Sequence, residues 1–129
     1  MCSSDLLLLD TDVIIDLLRR DTLAYQWFSE LQYPPALASI AMLEVMQGCR
    51  DRREQDQARK LMNHFRVVYP NTADVERALF EFSPFCLSHG VGAMDLLIAA
   101  TVVGQEMVLV TKNMKHFEPI LGRRVYRPY

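Results

Sequence analysis

At 129 residues, half of them apolar and 23% charged, the chain has the size and composition of one soluble globular domain, spanning 1–129, with a core of its own. A formal net charge of −2 argues against a strongly basic nucleic-acid surface. It leaves nucleic acid open where a metal ion supplies the positive charge.

The first element is Leu6-Leu7-Leu8-Leu9, an apolar run too short for a buried helix, closed by Asp10-Thr11-Asp12. Such a run reads as a buried strand of a parallel sheet. Asp10 then ends a central strand, at the sheet edge where open α/β folds bind ligands. Residues Val13 to Arg20 have an amphipathic helical pattern, with Asp12 or Thr11 as its expected N-cap. Asp5 and the lack of Lys or Arg before this run do not fit a signal peptide, and no apolar stretch is long enough to span a membrane.

Asp21-Thr22 offers the next N-cap, and Leu23, Trp27 and Leu31 recur at helical spacing beside Phe28. Tyr33-Pro34-Pro35 stops that helix, and Ala36-Leu37-Ala38 reads as a second strand. Ser39 is the expected N-cap of a mostly buried helix from Ile40 to Gln47, ended by Gly48. Glu44 is the only charge inside that apolar helix, and a glutamate is seldom buried without a partner.

Arg50 to His64 reads as a polar helix with Asp51 and Glu54 at capping-box spacing and a thin apolar face. Its arginines and acids alternate, as on a solvated face. Val67-Val68-Tyr69 is a third strand, and Asn71 with Asp74 opens a helix whose buried side is expected to carry Val75, Ala78, Leu79 and Phe82. Ser83-Pro84 breaks the pattern before a short helix to Leu87. Ala93 to Val103, ended by Gly104, is apolar on all sides except Asp95 and Thr101. Asp95 falls in its first turn, where the helix dipole favours an anion. Met107 to Val110 is a fourth strand ending in Thr111-Lys112-Asn113, His116-Phe117 leads a turn or short helix, and Arg124-Val125-Tyr126 is a candidate edge strand.

The three cysteines, Cys2, Cys49 and Cys86, are far apart and form no CxxC pair, so neither a zinc site nor a disulfide framework is indicated. A reducing, cytoplasmic setting is the simple reading, with Cys49 and Cys86 as packing residues. Alternation of strands and helices predicts a three-layer α/β/α fold around a mostly parallel sheet.

Three carboxylates, Asp10, Glu44 and Asp95, are expected to converge at one sheet edge with Thr11, Thr111 and Asn113. Two like charges 4 Å apart cost on the order of 4 kcal/mol at an effective dielectric near 20. Converging acids therefore call for a cation or a shared proton. Hard oxygen ligands without Cys or paired His suit Mg²⁺ or Mn²⁺ better than zinc.

The stretches Leu8-Leu9-Asp10-Thr11-Asp12 with Ile15-Asp16-Leu17-Leu18, Ser39 to Gly48, Met94-Asp95 to Thr101, and Leu109-Val110-Thr111-Lys112-Asn113 with His116-Phe117 together resemble the PIN-domain ribonucleases, above all VapC-type toxins of bacterial toxin–antitoxin pairs. The likeness covers nearly the whole chain, with the four motifs in the family's order. It implies a Mg²⁺- or Mn²⁺-dependent endoribonuclease, often a homodimer, inhibited by a small antitoxin. It assigns Asp10, Glu44 and Asp95 to the acidic metal site and Thr11 and Thr111 to supporting hydroxyls. Asn113 stands where many members carry a fourth acid, and Asp12 where Asn or Ser is frequent. The expected partners are RNA and an antitoxin, the latter in an apolar groove near Leu17, Trp27 and Leu31.

Two other readings compete. A non-catalytic module binding RNA or protein has Asn113 in its favour. Asp10-Thr11-Asp12 also resembles the haloacid-dehalogenase phosphatases, but this chain lacks their Thr after the second acid and their paired acids after Thr111. His64, His89 and His116 show no nucleophile or metal spacing, and His116 is expected to pack or hydrogen-bond near the site.

Overall fold

The computed structural model describes residues 6–129. The expectations for Cys2 and Asp5 lie outside the described residues.

Among the described residues, five strands form one parallel sheet. They are β1 (Leu7–Leu9), β2 (Ala36–Ala38), β3 (Val67–Val68), β4 (Val108–Val110) and β5 (Val125–Tyr126), in the order β3-β2-β1-β4-β5. Leu8 pairs with Ala36 on one side and Leu109 on the other, so β1 is central. Every residue of β1, β2 and β4 is buried, which is why these strands read as continuous apolar runs. The expected edge strand is present as β5, paired with β4.

The helices are α1 (Thr11–Leu18), α2 (Thr22–Ser29), α3 (Ser39–Gly48), α4 (Arg52–Met62), α5 (Thr72–Arg77), α6 (Pro84–His89), α7 (Ala93–Gly104) and α8 (Met114–Leu121). They cover both faces of the sheet in the expected three-layer α/β/α arrangement. α7 carries the deepest packing: Ile98, Ala99, Ala100 and Val102 are fully buried. No helix of the described residues is long and apolar enough to cross a membrane.

Several local expectations are corrected. Asp10, not Asp12 or Thr11, occupies the N-cap position of α1, and its side chain makes no capping bond. Ser39 is the first residue of α3 rather than its cap. Leu43 on α3 and Leu23 on α2 are exposed, and Ala24 takes the buried place on α2. Cys86 is exposed, whereas Cys49 is half-buried with its thiol against the Val45 carbonyl.

The segment after β3 departs furthest from the expected helical phase. A capping box between Asn71 and Asp74 starts α5 as expected. A π-turn over Ala78–Phe82 then widens the helix. Asp74, Ala78 and Phe82, four residues apart, face inward, while Val75 and Leu79 face solvent. A wider turn shifts the inward phase from the 3.6-residue repeat toward every fourth residue or more.

Candidate metal centre

Parallel strands end at the same sheet edge, and the chain hangs its acids there. Asp10 leaves the central strand β1 with its N–H still on the Val110 carbonyl, at 3.0 Å. Thr111 leaves the neighbouring β4, and its N–H extends the ladder to the Tyr126 carbonyl. Glu44 projects from α3, which begins directly after β2, and Asp95 lies in the first turn of α7.

Asp10, Glu44 and Asp95 each offer a carboxylate oxygen within 4.8 Å of the other two. Asp10 is 5% exposed, and its Oδ1 is buried with no hydrogen-bond partner among the described residues. An unpartnered buried carboxylate oxygen is costly. Burial pushes the Asp10 carboxyl up to about 7; the Thr111 hydroxyl opposes this, and the charges of Asp12 and Asp95 add to it. The N-termini of α1 and α7 offset part of the repulsion through their dipoles. The oxygen-only donor set, with one oxygen left bare, fits a hard divalent cation.

The supporting residues are hydrogen-bonded around this cluster. The Thr11 hydroxyl donates to Glu44 Oε1 at 2.8 Å, and the Thr111 hydroxyl donates to Asp10 Oδ2 at 2.8 Å. Asp12 does not cap a helix; its Oδ2 accepts the Lys112 N–H at 2.9 Å and so ties α1 to the loop after β4. Burial pushes the Asp12 carboxyl up, against the pull of that N–H. Asn113 donates its backbone N–H to the Thr111 hydroxyl at 3.0 Å. Its amide contacts His116 Nδ1, at 3.1 Å, and the same ring nitrogen stands 3.2 Å from Asp95 Oδ2.

The PIN-domain family model matches residues 7–118. The chain belongs to the PIN-domain family. A relative of this PIN domain is Ribonuclease VapC10 of Mycobacterium tuberculosis, 31% identical over 115 residues, covering 87% of this chain and 86% of that protein. The expected resemblance to VapC-type proteins is borne out by that likeness. Among solved structures, a toxin–antitoxin complex from Klebsiella pneumoniae superposes with a TM-score of 0.74 at 26% identity, over 95% of this chain and 97% of that one. DNA-bound VapBC from Salmonella typhimurium shares the fold at a TM-score of 0.80 and 19% identity, over 96% and 98% of the two chains.

One cluster of this PIN domain escaped the sequence reading. Asp16, one turn beyond Asp12, pairs with Lys112 Nζ and accepts the Tyr129 hydroxyl at 2.6 Å. Partial burial pushes the Asp16 carboxyl up, but the Lys112 and Tyr129 hydrogen bonds outweigh it and hold the group below the usual carboxylate range. Burial, with the Asp16 carboxylate, pushes the Tyr129 phenol up. The available signal was the i, i+4 spacing of Asp12 and Asp16 on one helix face.

A groove lies between α1 and α4, lined by Leu17, Leu18 and Leu61 with Arg19, Arg20, Lys60 and Glu54; of the residues expected around an apolar groove it holds Leu17 but neither Trp27 nor Leu31. Trp27 lies elsewhere, its ring 6.5 Å from that of Tyr129.

Proposed function

We propose that this protein is a divalent-metal-dependent endoribonuclease of the cytoplasm and the toxin of a toxin–antitoxin pair. The observation that carries the reading is the convergence of Asp10, Glu44 and Asp95 around the bare Asp10 Oδ1. Its kinship with a ribonuclease directs that site to RNA.

Asp10 and Asp95 would hold Mg²⁺ or Mn²⁺, with Glu44 as a further ligand or as the group that orients the attacking water. The bound ion supplies water activation and charge stabilisation for phosphodiester hydrolysis. The chain's own residues set the geometry. Thr111 holds one Asp10 oxygen and leaves the other free, Thr11 holds Glu44, and Asp12 fixes the Thr111–Asn113 loop through the Lys112 N–H. Asn113 adds no charge, so the acid set numbers three. Water attack in line on phosphorus breaks the P–O3′ bond and leaves a 5′-phosphate and a 3′-hydroxyl.

The test is cleavage of total cellular RNA by partner-free protein in Mg²⁺, Mn²⁺ and EDTA. Discrete metal-dependent fragments bearing 5′-phosphates, absent with Glu44→Gln and Asp95→Asn, support the reading. RNA binding without cleavage in either metal by the folded protein contradicts it and favours a binding module.

The antitoxin is assigned to the groove between α1 and α4. Its leucines, with Arg19, Arg20 and Lys60 outnumbering Glu54 among the charged side chains named above, fit an acidic segment with an apolar face. Arg20→Glu with Lys60→Glu is expected to weaken toxin–antitoxin association without affecting RNA cleavage by the free toxin. A second copy of the chain is assigned to the apolar surface of the π-turn and α6, where Leu79, Phe80 and Leu87 are 59%, 74% and 93% exposed. Phe80→Asp is expected to convert a dimer to a monomer in light scattering; a wild-type monomer contradicts the assignment.

A further inference from the structure

His116 sits on the first turn of α8 with its side chain 31% exposed, against Asp95 at 20%. Its Nδ1 is within hydrogen-bond distance of both Asp95 Oδ2 and the Asn113 amide. An ionised carboxylate oxygen only accepts, so Nδ1 carries the hydrogen in the contact with Asp95. A donating Nδ1 cannot also accept from an amide N–H. Both contacts are satisfied when the Asn113 amide presents its oxygen to the ring, an orientation with the same outline.

Asn113 stands at the N-cap position of α8, yet its side chain makes no capping bond. Its amide is used on His116 instead. The backbone N–H of Asn113 meets the Thr111 hydroxyl, which in turn meets Asp10 Oδ2. One connected chain of polar groups therefore runs from Asp95 through His116, Asn113 and Thr111 to Asp10. It ties together two acids that belong to different elements, α7 and the end of β1.

We propose that His116 is a positioning residue for the cation, its Nδ1–H fixing the Asp95 carboxylate in its ligating orientation. The inference rests on the metal-site reading above and extends it to a residue outside the acid set. A ring N–H orients the carboxylate without adding the repulsion that a fourth acid would bring. Partners of this kind, which hold a ligand rather than the metal, typically contribute 10- to 100-fold to metal affinity.

The experiment combines Mn²⁺ titration calorimetry on the full chain, freed of any partner, with ¹⁵N NMR of the metal-free protein above the imidazole titration range. The neutral His116 ring is expected as the Nδ1–H tautomer. His116→Leu is expected to weaken Mn²⁺ binding by about 10- to 100-fold. His116→Asn, which places an amide N–H where Nδ1 stands, is expected to restore affinity close to wild type. An Nε2–H tautomer, wild-type affinity in His116→Leu, or equal losses in the Leu and Asn variants would each overturn the proposal. Should His116→Leu not fold, the tautomer and the Asn variant still decide it. Failure of the metal reading has its own signature: wild type and Asp10→Asn then bind Mn²⁺ equally, or neither binds it.

Discussion

The Thr111 hydroxyl donates to Asp10 Oδ2 at 2.8 Å, joining the ends of two neighbouring strands that lie 101 residues apart in sequence. That bond satisfies one Asp10 oxygen and leaves the other bare in a buried place. The acid is held ready at a standing cost to the fold, and the first predictions come from that cost.

Asp10 should destabilise the metal-free protein at neutral pH. Its folded pKa, about 7, lies above the ordinary 3.8. The unfolded chain therefore releases this proton first as pH rises. The stability Asp10 contributes is fully present below about pH 4 and is lost progressively up to about pH 7. The shift corresponds to roughly 4 kcal/mol. Asp10→Asn should thus melt higher than wild type at pH 8, with the difference shrinking toward pH 4, in thermal melts with EDTA. In the same window Mn²⁺ affinity of wild type should rise with pH as the ion displaces the Asp10 proton.

Thr111→Val removes a fully buried hydroxyl with little change in shape. It leaves Asp10 Oδ2 and the Asn113 N–H without their shared partner. A loss of roughly 1–3 kcal/mol in urea unfolding is expected, together with weaker Mn²⁺ binding. Unchanged metal affinity would mean that the hydroxyl serves the fold alone.

The Tyr129 hydroxyl and Lys112 both hold Asp16, and Arg127 donates to the Lys112 carbonyl at 3.2 Å. Lys112 in turn gives its N–H to Asp12. Tyr129→Phe should cost about 1.5–3 kcal/mol, the range for a hydrogen bond to a charged group, while the acids of the cluster stay in place. Urea unfolding measures the cost, and retained RNA cleavage at low temperature checks the second part.

Much of this architecture was legible because burial leaves a compositional trace. β1, β2 and β4 read as short apolar runs, and α7 as a helix apolar on nearly all sides. Against that background Asp10, Glu44 and Asp95 stood out as polar residues in apolar elements. Features that depend on tertiary pairing left no such trace. Asp12 looked like a helix cap because its partner, the Lys112 N–H, is 100 residues away. The π-turn at Ala78–Phe82 re-phased the inward face, so Val75 and Leu79 were misplaced. Tyr129 gave no sign of its bond to Asp16, 113 residues distant.

Gly104 ends α7 against the capping box of α5. A Cβ there would stand 1.9 Å from Asp74 Oδ1 and 2.7 Å from Arg77 Nη1. Asp74 is fully buried, and its Oδ2 is engaged by the Asn71 N–H and the Gln105 amide, so it has little room to yield. Gly104→Ala should destabilise the protein despite the better helix propensity of alanine, by about 1–3 kcal/mol for an overpacked site. A stabilised variant in chemical unfolding would show that Asp74 and Arg77 can move aside.

The most direct measurement compares RNA cleavage by wild type and Asp10→Asn in Mn²⁺, with circular dichroism confirming that both are folded. Discrete fragments are expected from wild type, none from the variant, and none from either protein in EDTA. Full cleavage by folded Asp10→Asn, or cleavage by wild type that persists in EDTA, would contradict the assignment of the catalytic centre to these three acids.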